Sequence, residues 1–347
     1  MKHKIIAVLA IFGMAMVFTG CWDNVEINEK HVVLDFAVDK NPDTKMQTQT
    51  GIENVYKVTY SIPDIAKLSG NDSLSDEVKK VLSVNSSTMA KSVSDIEKKT
   101  QNTISFSHTK AIMVGSELMK DQDLFKMAID SFRENMEIGR GTYLLAVDGE
   151  AGDVCKASSY QNPIIGLYVM KYFNNTERRV GDNEGQTLGG FSRDMQEIGN
   201  SIIPKIASNE DESTVKVAGG ALIKDYEFVD WLDSREIRAK MLIQGKVKNM
   251  PLTIEDEDQY FTYQINKERC KLSFEEQNNE LVINMNIEID GGLTEYSPEI
   301  LRNTGTEQQL AIIKEKINNN VKSDIANGIQ KAKEVKVSKT AMAFAVF

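Results

Sequence analysis

Leu281, Ile283, Met285, Ile287 and Ile289 alternate with Asn284, Asn286, Glu288 and Asp290. Side chains on a strand point to opposite faces with a period of two, so this run argues a strand with one dry face. Cys270, Leu272 and Phe274 alternate in the same way just before it, and Asn278-Asn279 between the runs supplies turn chemistry. The two runs form the clearest hairpin in the chain. Residues 306–333 then place Leu310, Ile313, Ile317, Val321, Ile325 and Ile329 at steps of three and four. Such a slowly drifting stripe suits a long helix laid across a sheet. Residues 335–347 read as a further strand. The C-terminal part is therefore expected to be an antiparallel sheet packed by a long helix.

The first half has another rhythm. Residues 31–39 and 54–62 read as paired antiparallel strands, with Val33, Phe36 and Val38 as core. Residues 63–85 are polar and read as a loop with a helical turn or two. Ser86 or Ser87 caps a helix running to about 100, with Met89, Val93 and Ile96 on one stripe. Strands follow at 110–115 and 141–147, and helices at 121–132 and 149–157. That alternation predicts an α/β layer with at least one parallel crossover. A helix starts at Pro163 and runs to 174. Residues 178–190 read as a mobile loop, 191–198 as helical and 202–204 as extended. The acidic, serine-containing stretch 208–214 is the candidate boundary. Beyond it come a strand at 215–224 bearing a glycine pair and a turn at Asp225-Tyr226. Residues 228–232 lead into a helix capped by Asp233 or Ser234 and ended by Gly245, with Ile237, Met241 and Leu242 as its buried stripe. A strand at 259–265 precedes the hairpin.

The expected fold class is α+β (mixed α/β), about three domains with mixed sheets. The divisions are a signal peptide at 1–20, an N-terminal α/β domain at 21–160, a middle helical region and loop at 161–212, and the C-terminal sheet and helix at 213–347.

At the N-terminus, Lys2 and Lys4 precede an uncharged stretch at 5–18 that is too short to span a bilayer comfortably and fits the apolar core of a secretory signal. Thr19 and Gly20 then precede Cys21, as a bacterial lipobox requires, although Phe18 replaces the usual aliphatic. Cys21 is thus the expected lipidation site, and two acyl chains on it would hold the protein stably at a membrane. Trp22 beside it suits the headgroup layer. The other reading is a plain signal peptide or short uncleaved anchor with an incidental cysteine. The formal net charge of −10 argues against nucleic acid and against direct adhesion to anionic lipid.

Candidate chemistry is sparse. His31 and His108 have no ligands clustered around them at zinc spacing, and Ser105, Ser107 and His108 lack a nucleophile elbow. Gly139-Arg140-Gly141 lacks the third glycine of a dinucleotide fingerprint, and Asp182-Asn183-Glu184-Gly185 places its glycine too early for a calcium loop. The acidic run 255–258 reads as a charged turn before a strand, with weak divalent-cation binding as the other option. Cys155 and Cys270 read as separate thiols, each a small hydrophobe, or as a disulfide outside the cytoplasm. Trp231, between Val229-Asp230 and Leu232, reads as core. No catalytic residue, metal or cofactor is assigned.

Several segments together resemble the C-subunit lipoproteins of spore germinant receptors, the Ger(x)C family. They are Gly20-Cys21-Trp22-Asp23 with Glu26-Ile27-Asn28-Glu29; Phe106-Ser107-His108-Thr109-Lys110-Ala111-Ile112-Met113-Val114-Gly115-Ser116-Glu117-Leu118; residues 137–154; and Gly219-Gly220-Ala221-Leu222-Ile223-Lys224-Asp225 with Trp231-Leu232 and Gly245-Lys246. The resemblance covers most of the chain. It implies a mixed α/β protein without enzymatic activity, anchored through Cys21 on the outer face of the spore inner membrane. It also implies A-type and B-type membrane subunits as partners. Where family members continue past the long helix with an aspartate–isoleucine–phenylalanine–glycine type motif, a helix and a final strand, this sequence runs through Ser338-Lys339-Thr340 to Phe347. The C-terminal sheet is then expected to lack an edge strand and its covering helix, unless residues 341–347 take the strand's place. The alternative is a solute-binding lipoprotein of a transporter, which needs two similar lobes around a cleft. A cell-envelope hydrolase is a third option, disfavoured by the missing nucleophile motif.

Overall fold

Strand β2 (Asp35–Lys40) sits at the middle of the molecule with every residue but its last buried. A strand covered on both faces reads as a continuous buried run and not as an alternation, and β2 is covered on both. The computed structural model describes residues 30–43, 53–64, 78–100, 102–135, 137–159, 162–175, 184–209, 214–256, 259–297 and 307–334. Around β2 the described residues build a nine-stranded mixed sheet. Next to it on one side lie β3 (Tyr56–Pro63) and β4 (Lys79–Ser86), both antiparallel. On the other side β6 (Ala111–Gly115), β7 (Tyr143–Val147) and β9 (Asn200–Asn209) run parallel to it in succession. The sheet ends in two antiparallel strands, β10 (Thr214–Lys224) and β11 (Glu227–Leu232), and a short β8 (Gln186–Thr187) pairs with β7. β1 (Lys30–Val32) and β5 (Thr103–Ser105) form a separate parallel pair.

Helices cover both faces. Phe36 and Val38 of β2 share a core with Ile96 of α1 (Met89–Glu97), Phe125 and Phe132 of α3 (Gln122–Glu134) and Phe191 of α6 (Leu188–Glu197). Ala37 faces the opposite way, toward Val154 of α4 (Ala151–Lys156) and Val169 of α5 (Ile165–Asn174). A short α2 (Ser116–Met119) follows β6 directly. The parallel crossovers expected from the strand–helix rhythm are present.

In the C-terminal part the described residues form a three-stranded antiparallel sheet of β12 (Met250–Asp256), β13 (Gln259–Gln277) and β14 (Glu280–Tyr296). It packs with α7 (Ser234–Ile243) and the long α8 (Glu307–Glu334) around Met241, Leu252, Phe261, Ile313, Ile317 and Val321. Asn278 and Asn279 take φ of 52° and 67°, the two left-handed residues of a tight hairpin turn. Asp233 and Glu236 form a full capping box on α7, and Gly245 at φ 66° closes its end, with Lys246 N–H donating to the Met241 carbonyl at 3.0 Å. Mixed sheets and a C-terminal antiparallel sheet packed by a long helix are therefore observed. The two sheets are unlike, so the described residues do not form two similar lobes.

Three local readings are corrected and one is completed. The stretch 31–39 is two strands in different sheets, because Val33 N–H still bonds to Ser105 O at 2.9 Å while β2 has turned toward β3 and β6. Residues 79–86, read as loop, are the edge strand β4, whose lysines and serines hide its strand character in the way edge strands commonly do. Residues 228–232, expected to lead into the helix capped at Asp233, do so as strand β11, since Asp225 and Tyr226 at φ 48° and 67° turn β10 straight back on itself. The strand at 259–265 and the alternating run after it are one strand, β13, with a register shift between Ile265 and Lys267. The expected boundary at 212/213 falls in the connection between β9 and β10, which pair with each other. Residues 335–347 lie outside the described residues.

Beside the shift in β13, Glu268 is buried, and burial pushes its carboxyl up to about 7. Only its Oε2 has a partner among the described residues, the Val247 N–H at 3.4 Å. In the unfolded chain the group titrates at its ordinary value of 4.5. Between these values the folded chain holds a proton the unfolded chain has released, so this stabilisation is complete below 4.5 and lost as pH rises through about 7. Glu268→Gln is expected to remove that part of the pH dependence and to be more stable than the parent at pH 8. Urea midpoints of both chains across this range check it, and parallel pH profiles would refute it.

Candidate functional site

A buried polar cluster lies under β2. Asp35 and Asp39, four residues apart on one strand, point to the same face as Ala37. Asp39 accepts from the N–H groups of Ala151 and Gly152 at 2.7 and 2.9 Å, so it caps the start of α4. Asp35 accepts from the Gly166 N–H at 2.9 Å, at the start of α5. Helix N-termini leave backbone donors unpaired and favour negative charge, which is why two carboxylates are tolerated in a buried strand. Cys155 Sγ donates to Asp35 Oδ1 at 3.4 Å. Lys79 Nζ donates to the carbonyls of Cys155, at 3.0 Å, and of Ala157.

Burial raises both Asp35 and Asp39 above the usual carboxylate range. It also pushes the Cys155 thiol well up, with the negative charge of Asp35 adding to the effect. A thiol so held is not a nucleophile at neutral pH. Nor is there room for a substrate. A Cβ on Gly115 would lie 2.0 Å from Asp39 Oδ1, one on Gly152 2.9 Å from Thr59 Oγ1, and one on Gly166 2.4 Å from the Leu34 carbonyl. The cluster is a filled clamp that holds α4 and α5 against the sheet.

The residues singled out in the sequence are scattered. Cys21 and Trp22 lie outside the described residues. Ser107 and His108 are exposed in the turn between β5 and β6. Their motif neighbours are structural: Phe106 packs edge-on to Phe36 at 5.6 Å, Thr109 Oγ1 donates to the Val33 carbonyl at 2.9 Å, and Ser116 Oγ accepts from the Gly149 N–H at 3.1 Å. Gly219 takes φ 73°, and a Cβ there would lie 2.3 Å from the Leu232 carbonyl, so the glycine pair lets β10 shift register against β9. Cys155 and Cys270 are both free thiols. Trp231 is half-buried on β11, with the Lys205 ammonium 4.9 Å from its ring centre. Glu184 pairs with Lys246 at 2.7 Å. Among the described residues no group of three or more His, Cys, Asp or Glu could hold a metal ion, and no helix is long and apolar enough to cross a membrane. The Asp35–Asp39 clamp was not anticipated. Its signal was two acids spaced by four in an apolar strand, where Asp is normally depleted.

Two family models match in succession. Residues 23–208 match the spore germination protein N-terminal domain, and residues 218–338 match the spore germination B3/GerAC-like C-terminal domain. The chain therefore belongs to the Ger(x)C family of spore germination proteins. Spore germination protein B3 of Bacillus subtilis (strain 168) is 24% identical over 301 residues, covering 82% of this chain and 73% of that protein. Spore germination protein A3 of the same organism is 19% identical over 290 residues, covering 84% and 74%. The fold is shared with the crystal structure of the GerBC protein, at a TM-score of 0.52 and 19% identity over 86% of this chain and 81% of that one.

Proposed function

We propose that this protein is the lipid-anchored C subunit of a nutrient germinant receptor and works by binding, without catalysis, to assemble that receptor. Membership of a spore germination family across both halves of the chain carries this reading. The family ties the chain to germination; the finer role rests on further support. Cys21 stands after a short apolar stretch and a small-residue pair, as a diacylated anchor requires. The buried polar cluster is spent on capping two helices, which leaves its acids and thiol no substrate to act on. The anchored chain would stand on the outer face of the spore inner membrane, with A-type and B-type membrane subunits as partners.

Cys21→Ala is the test of the anchor. The variant is expected to lose labelling by a fatty-acid analogue completely and to move from the membrane to the soluble fraction. Retained labelling would refute lipidation at Cys21. Tagged protein purified from spore membranes is expected to bring down a multispanning subunit. Recovery instead with an ATPase and a permease would replace the receptor by a transporter.

A further inference from the structure

A buried acid stands at the root of the β13–β14 arm. β12 pairs with β13 only from Gln259 to Ile265, and beyond that point β13 and β14 stay paired as far as Gln277 and Glu280. At the same point β13 carries one extra residue, since Ile265 opposes Gly291 and Lys267 opposes Asp290. Such a bulge re-aims the side chains that follow it. It turns Glu268, opposite Ile289, to the face that Ile265 occupies, and leaves Lys267 and Asp290 on the other. From there the inward row reads Ile265, Glu268, Cys270, Leu272 and Phe274, one acid among apolar residues. Glu268 is only 6% exposed.

The end of α7 lies against this acid. The Val247 N–H reaches Glu268 Oε2 at 3.4 Å, and a Cβ on Gly245 would lie 3.7 Å from the Cys270 nitrogen and 4.0 Å from that same oxygen. Glu268 Oε1 has no partner among the described residues, and neither has Oε1 of Gln244, the residue that caps the end of α7. A protonated carboxyl supplies the donor that two such acceptors lack. The last carbonyls of a helix also carry partial negative charge, which disfavours a carboxylate beside them. The charges around Glu268 do not pair with it. Lys240 and Lys246 of α7 are held by Glu184, and Arg238 by Asp324. Lys314 and Lys322 of α8 line the groove beside Ile289 and make no ion pair with Glu268. Cys270 feels its charge, which helps to push that thiol up. We propose that Glu268 is a proton-operated latch: protonated, it ties the end of α7 to the root of the β13–β14 arm, and loss of the proton to water frees that root.

Burial sets the working range of the latch. Its carboxyl titrates at about 7 when closed and at the ordinary 4.5 when released, so the latch is fully shut below 4.5 and loosens as pH rises toward 7. Hydrogen exchange of the full chain, corrected for the intrinsic pH dependence of exchange, tests this independently of any receptor role. Protection of residues 244–250 and of the arm from 268 to 289 is expected to fall about tenfold per pH unit between pH 5 and 7. Glu268→Gln, neutral at every pH and of the same shape, is expected to hold that protection constant. β6 is expected to be at least about tenfold better protected than residues 244–250 throughout, which marks the opening as local. The same slope in the parent and the Gln variant would overturn the proposal. So would protection of residues 244–250 equal to that of β6 at every pH, because the junction would then open only with the whole chain.

Discussion

Asp324→Ala is expected to destabilise the chain by about 3–5 kcal/mol, the usual result of removing one partner from a buried ion pair. Asp324 lies on α8 with only 6% of its side chain exposed, and its Oδ2 accepts from Arg238 Nε at 2.8 Å and Nη2 at 2.5 Å. Arg238 belongs to α7. The two helices cross closely, since a Cβ on Gly328 would lie 2.7 Å from Ala239 Cβ. Alanine at 324 leaves the largely covered Arg238 guanidinium under that crossing without its carboxylate. The unfolding midpoint is expected to fall on the order of 10 °C. Arg238→Met combined with Asp324→Leu removes the charge as well as the pair and is expected to recover most of the loss. A single variant within about 1 kcal/mol of the parent would show that water reaches the pair after all.

Asp39→Ala is expected to cost about 2–6 kcal/mol, since two backbone N–H groups, those of Ala151 and Gly152, lose their acceptor in a buried place at roughly 1–3 kcal/mol each. No side chain can move in to replace it, because Gly115 and Gly152 are packed against the carboxylate and Thr59. Asp39→Asn keeps one acceptor oxygen and is expected to lose about half as much by chemical denaturation. Faster exchange should appear first in α4. If the Asn variant lost as much as the Ala variant, the carboxylate charge at the helix N-terminus, and not its acceptor geometry, would be what matters.

Much of this fold could be read in the residues because its periodic signals are strong. The Asn278-Asn279 hairpin, the Asp233 cap, the Gly245 stop and the stripe of α8 each follow from local chemistry. What escaped reading depends on partners distant in sequence. Lys79-Lys80 with Ser83 and Ser86 looks like a loop until β3 supplies the ladder. Residues 228–232 carry no helical period, and only the left-handed pair Asp225-Tyr226 says that they return as a strand. The clamp escaped for the same reason: the donors that hold Asp35 and Asp39 lie more than a hundred residues further on. The proposal of lipidation at Cys21 rests on sequence spacing alone.

One strand belongs to both halves of the protein. On β10, Ile223 faces the core of the large sheet and Leu222, its neighbour in the chain, faces the core under α7 and α8. Consecutive residues on a strand point to opposite sides, so both cores grip one length of backbone from either side. The join works mechanically as a shared beam. A load applied to the C-terminal sheet would pass along β10 into β9 and the parallel centre of the large sheet, as strain within a ladder of hydrogen bonds.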